Sequence, residues 1–171
     1  MKFLNFKNLK NESGLTLIEL IVAVGIFGLV IGMVFGVFTV TVTGQHRIIA
    51  LRNVEDNLRF VAESMAREAR TGKDFTSDSV SLSFTNDRNQ SVIYRLNNGI
   101  VEKSSDGGLT YLPITGPEIT VDYLNFSLAG QAANDGLQPR ITVAIGAESR
   151  VGNQKAGLKI QTTISARQLQ S

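Results

Sequence analysis

The chain has 171 residues, a formal net charge of +2, a single histidine and no cysteine. Without cysteine there is no disulfide, no thiol nucleophile and no thiolate metal site. Lys2, Lys7 and Lys10 against Glu12 account for the whole surplus, so the chain after residue 14 is neutral overall, and no nucleic-acid partner is expected for it.

The lysines open onto an apolar run that starts at Leu15 and fades near Gly44, with no charged residue between Leu20 and Phe38. About 20 such residues suffice to span a bilayer as a helix. Glu19 interrupts the pattern. A charge at the centre of a membrane helix costs about 2.5–3.5 kcal/mol on insertion scales, and Glu19 lies four residues inside the run, which contains no basic residue. Either its partner is on another molecule or it sits at the water interface.

Three readings compete for this segment. A secretory signal has an apolar core of about 7–15 residues followed by a small-residue cleavage site. Here the run is longer, and the residues from Thr39 to Gly44 offer no such site. A plain membrane anchor accounts for the length. Lysines on the amino-terminal side also favour that end inside, although Arg47 and Arg52 weaken the asymmetry. That reading leaves Gly14 and Glu19 unexplained.

The third reading explains both. Gly14-Leu15-Thr16-Leu17-Ile18-Glu19-Leu20 resembles the amino-terminal signal of type IV prepilins and of the pseudopilins of type II secretion systems. That family has a short basic leader ending in Gly, an apolar residue, then Thr-Leu-Ile-Glu at the head of a hydrophobic helix. Its commonest residue after the Gly is Phe, where this chain has Leu15. The resemblance implies that a membrane prepilin peptidase cuts between Gly14 and Leu15 on the cytoplasmic side and methylates the new Leu15 amine. A glycine before the scissile bond lets the backbone enter a protease site extended. The resemblance further implies that Glu19 serves filament assembly by pairing with the Leu15 amine of a neighbour, satisfying two charges that lipid penalises. The implied partners are the peptidase, other pilin or pseudopilin subunits, an inner-membrane assembly platform, and the lipid bilayer before assembly. No cofactor and no metal are implied.

Beyond the membrane half, Leu51, Val54, Leu58, Val61, Met65 and Ala69 recur at helical spacing and predict one buried face. Arg52/Asp56, Glu55/Arg59 and Glu63/Arg67 are opposite charges at i,i+4 on the outer surface. Thr71-Gly72 supplies a stop, so the helix is predicted from about Leu15 to Arg70. Gly28, Gly32 and Gly36 form overlapping small-xxx-small spacings that let helices approach closely. Glycine also loosens a helix, a role that Pro fills in many family members; ordinary membrane helices are glycine-rich too. His46, with no cysteine or acidic cluster beside it, is read as an interfacial side chain.

After Gly72 the pattern changes to short alternating runs. Val80–Phe84 alternates at period two, and Val92–Leu96, Asn97-Asn98-Gly99 and Ile100–Glu102 read as a hairpin. Asp106-Gly107-Gly108 is a second turn leading to a strand at Leu109–Ile114, and Val121–Leu128, Ile141–Ile145 and Leu158–Ile164 follow. Pro113, Pro117 and Pro139 fall at strand ends or in loops. Asp106, Asn134-Asp135-Gly136 and Asn153 lack the one-three-five spacing of a calcium loop and read as turn residues. The hairpin, the Gly-Gly turn, Val121–Phe126 and Thr162–Arg167 resemble J-type minor pseudopilins and W-type minor pilins, in pattern rather than in motif.

The sequence therefore predicts an α+β, type IV pilin-like chain whose long helix packs on an antiparallel sheet. Residues 1–14 are a leader that is removed, 15–43 the membrane and filament-core half of the helix, 44–71 its amphipathic half, and 72–171 a β-rich domain. The expected function is structural and not enzymatic. It is that of a subunit, minor in kind, of a type IV pilus or type II secretion pseudopilus. Before assembly it crosses the cytoplasmic membrane once, with its carboxyl-terminal domain outside. The alternative is a single-span anchored binding domain that never assembles.

Overall fold

The computed structural model describes residues 14–130 and 137–167. The leader up to residue 13 and the turn read at Asn134-Asp135-Gly136 lie outside the described residues. The chain divides into two compact units between Val42 and Thr43. Helix α1 (Leu17–Ala69) starts in the first and ends in the second.

In the first unit α1 carries exposed Leu, Ile, Val, Phe and Met side chains on every face. Its residues from Leu17 to Val42 would span about 39 Å at 1.5 Å per residue, more than the roughly 30 Å of a bilayer's hydrocarbon core. By length and composition this helix can cross a membrane. Two threonines hide their polarity within it: the Thr39 hydroxyl donates to the Phe35 carbonyl at 2.8 Å and the Thr41 hydroxyl to the Val37 carbonyl at 2.9 Å. Folding a hydroxyl back on the preceding turn leaves no donor facing an apolar medium.

In the second unit α1 lays one stripe into a core: Ala50, Val54, Leu58, Val61, Met65 and Ala69 are fully buried. Ala50, not Leu51, completes the stripe at its start, and Leu51 stays 42% exposed. At about 100° per residue the two lie at similar angles on either side of the stripe, so the periodicity alone does not choose between them. On the outer face Arg59 pairs with Glu63 at 3.5 Å, in place of the predicted pairing with Glu55. Gly72 follows the helix without a left-handed conformation. A Cβ there would stand 2.7 Å from Phe84 Cδ2, so close ring packing is what requires a glycine.

Five strands form an antiparallel meander in sequential order: β1 (Lys73–Ser77), β2 (Ser81–Thr85), β3 (Ser91–Asn97), β4 (Ile100–Ser104) and β5 (Leu112–Pro113). Asn98 and Gly99 both have positive φ, 48° and 77°, between paired Asn97 and Ile100. That is the two-residue turn whose twist matches flanking strands. The strand expected over Leu109–Ile114 shrinks to Leu112–Pro113. Side chains capture the preceding amides instead: Asp106 Oδ1 accepts from Thr110 N–H, and Ser104 Oγ from Gly108 N–H, both at 2.9 Å. Pro113 sits in an edge strand, where its missing donor costs least. Strand β1 was not signalled by the sequence. It holds one buried apolar residue, Phe75, and a register irregularity between Lys73 and Thr76.

Three longer strands, β6 (Ile119–Ala129), β7 (Arg140–Val151) and β8 (Gln154–Ser165), form a second antiparallel sheet in that order. Strands β7 and β8 run well past the predicted Ile141–Ile145 and Leu158–Ile164. Gly146 interrupts the apolar alternation because Tyr123, paired opposite, lays its ring across it: a Cβ at Gly146 would meet Tyr123 Cε1 at 2.5 Å. The α1 stripe from Val54 to Ala69, Leu82, Phe84, Val92 and Tyr94 of the first sheet, and Leu124, Phe126, Ile141, Val143 and Ile145 of the second share one core. The architecture is α+β and pilin-like, with the long helix packed against antiparallel sheets.

Candidate functional site

The four amide hydrogens at a helix start have no carbonyl partner in the preceding turn. At the head of α1 that need is met locally for two of them, Thr16 and Glu19. Thr16 stands immediately before Leu17, and Glu19 is the third helical residue. The Glu19 N–H donates to Thr16 Oγ1 at 3.3 Å. In return Glu19 Oε2 accepts from the Thr16 N–H and the Thr16 hydroxyl, each at 3.0 Å. This reciprocal pair is a capping box, whose sequence signature is Thr-x-x-Glu. A carboxylate there also faces the positive end of the helix dipole.

The reading of Glu19 changes accordingly. It lies in the first turn rather than deep in the helix, and although the apolar run holds no basic residue, Thr16 gives the carboxylate two donors. The Thr16/Glu19 spacing was the signal that could have revealed this. Oε1 has no hydrogen bond among the described residues. Gly14 and Leu15 precede the helix without regular structure; a Cβ at Gly14 would touch nothing within 4 Å, and Leu15 is 79% exposed.

Gly28, Gly32 and Gly36 follow on α1, each with open space where a Cβ would be. Nearby, Met33, Val34, Val37, Phe38 and Thr41 line an apolar groove of about 450 Å³. His46, in the second unit, is half-buried, with Nδ1 3.2 Å from the position of a Cβ on Gly152. Asp106 spends its carboxylate on its own turn: Ser104 Oγ donates to Oδ1 at 2.6 Å and Thr110 N–H also donates. Those bonds, the serine's foremost, hold its pKa down to about 2. Asn153 occupies the β7–β8 turn. Among the described residues no three His, Asp or Glu side chains are grouped to hold a metal ion.

Residues 9–35 match the family model described as the prokaryotic N-terminal methylation motif. The amino-terminal segment is such a motif. With the long apolar helix behind it, the motif fits the type IV prepilin-like family and supports a pilin- or pseudopilin-like role. It is a structural motif and not a catalytic one. Processing by a prepilin peptidase, assembly with other pilins and membrane anchoring are the general properties it implies. Comparison with curated proteins and with solved structures found no match. The motif thus covers the helix start and the apolar stretch as far as Phe35, and the β-rich unit stands outside it.

Proposed function

We propose that this chain is a structural subunit of a type IV pilus or type II secretion pseudopilus, cut after Gly14 by a prepilin peptidase and methylated on Leu15. The observation that carries this reading is the Thr16–Glu19 box, placed two residues past Gly14 at the head of an exposed apolar helix. Cleavage there creates an amine on Leu15. Glu19 Oε2 is committed to its own helix, and Oε1 is the oxygen left for the Leu15 amine of a neighbouring subunit. Such pairing would neutralise two charges in an apolar filament core. Gly28, Gly32 and Gly36 would let neighbouring helices pack closely there. The chain crosses the inner membrane before assembly, with its β-rich domain outside. Resemblance of that domain to J-type pseudopilins and W-type pilins supports a minor subunit.

Mass spectrometry of the protein recovered from cells that contain a prepilin peptidase tests the proposal. The expected chain begins at Leu15, with or without one added methyl group. A chain that still carries residue 1 in such cells would overturn it and leave the plain membrane anchor.

A further inference from the structure

We propose that the cleft at the carboxyl end of α1 is a docking site for an acidic side chain of a partner protein, gripped by Arg67, Arg70 and Arg167. The cleft has a volume of about 440 Å³ and is lined by those three arginines with Glu63, Ala66 and Thr71. It lies wholly in the second unit, so it does not rest on the filament reading.

Two elements build it. Arg67 lies in the last turn of α1, and Arg70 directly follows the helix, its N–H still bonded to the Ala66 carbonyl at 3.2 Å. Arg167 comes from the chain just past β8 and is fixed there by backbone bonds. Its N–H donates to the Arg70 carbonyl at 2.8 Å, and the preceding Ala166, itself buried, donates to Pro139 O at 2.9 Å. Three like charges are thereby gathered on one cleft of a chain whose charges balance after residue 14.

Two of the nearby acids are already engaged, and Asp87, which lines a neighbouring cleft with Arg67, forms no ion pair with it among the described residues. Glu63 pairs with Arg59 at 3.5 Å. Glu68 is bound by Lys103 Nζ at 2.5 Å and accepts the Tyr94 hydroxyl at 3.0 Å. Among the described residues no carboxylate lies within ion-pair distance of Arg67, Arg70 or Arg167. Cations at the carboxyl end of a helix complement its dipole, which accounts for Arg67 in the last turn and Arg70 just past it. It does not account for Arg167, which is not on the helix.

The ligand chemistry follows from the guanidinium group. Its planar fork matches the two oxygens of a carboxylate or the edge of a phosphate. A continuous phosphate chain is disfavoured by Glu63 on the rim and by the lack of any ring in the lining on which a base could stack. A single Asp or Glu side chain reaching between the arginines fits.

The test uses the full chain in detergent micelles and a fluorescent oligoglutamate peptide, titrated by anisotropy. Binding should saturate and weaken as salt rises. The double variant Arg70→Gln/Arg167→Gln should weaken it about tenfold or more by removing two charge-assisted contacts. Arg150→Gln, an exposed arginine on β7, should leave it unchanged. Equal affinity in the double variant and the parent would overturn the proposal. Tighter, equally arginine-dependent binding of a single-stranded oligonucleotide would also overturn it, in favour of a phosphate chain.

Discussion

The Thr16–Glu19 box lets two roles of one carboxylate be separated. Thr16→Val keeps the side-chain shape but removes the hydroxyl, and with it both the acceptor for the Glu19 N–H and one of the two donors to Oε2. Loss of a cap of this kind costs about 1 kcal/mol. That corresponds to a roughly fivefold rise in the open population of the first helical turn, from the ratio of this energy to RT. Glu19→Gln does the complement: its amide oxygen can still accept from Thr16, while the charge is gone. Hydrogen exchange of the Glu19 and Leu20 amides in micelles reads the cap, and the share of chain recovered in sheared filaments reads assembly. Thr16→Val should speed exchange about fivefold and leave incorporation largely intact, whereas Glu19→Gln should barely alter exchange and should impair incorporation. If Thr16→Val lowered incorporation as far as Glu19→Gln does, helix capping and not charge pairing would be the assembly role of Glu19. If Glu19→Gln filaments formed normally, the pairing account would be wrong.

Two further outcomes concern the β-rich unit. Leu58→Ala should cost about 3–5 kcal/mol in thermal or denaturant unfolding, because Leu58 is fully buried in the shared core. Leu51→Ala, at a position 42% exposed, should cost less than about 1 kcal/mol, and comparable losses would contradict the Ala50 stripe. The Asp106 carboxyl sits at about 2 when folded against an ordinary 3.8. Its contribution is therefore complete above the ordinary value and is lost as pH falls from there towards about 2. Asp106→Asn should flatten that part of the stability profile in an acid titration followed by circular dichroism, and an unchanged profile would show that the turn bonds do not stabilise the charge.

Much of this fold is written in local patterns. The period of Val54, Leu58, Val61, Met65 and Ala69 gives the helix and its buried face, and Asn98-Gly99 gives the hairpin, because each rests on the geometry of one element. Where the sequence misleads, the deciding partner is elsewhere. Gly146 looks like a strand end until Tyr123 is placed across it. Leu109–Ile114 looks like a strand until Ser104 and Asp106 take the amides of Gly108 and Thr110. Strand β1 has a single buried apolar residue to announce it. Of the candidate site, Gly14, Leu15 and Glu19 were visible at once. The cap was visible too in Thr16 and Glu19, but a carboxylate in an apolar run reads first as a charge in need of a counter-charge. The arginine cleft could not be read at all, since Arg167 meets Arg70 only through the closed fold.

Every atom of the helix cap belongs to Thr16 or to a residue after it. A cut after Gly14 therefore takes nothing away from the helix. On the proposed cut, the scissile Gly14-Leu15 bond would lie just ahead of the capped first turn, outside the helical ladder. On that proposal, the boundary between what is discarded and what is kept would coincide with the place where the helix first holds itself closed.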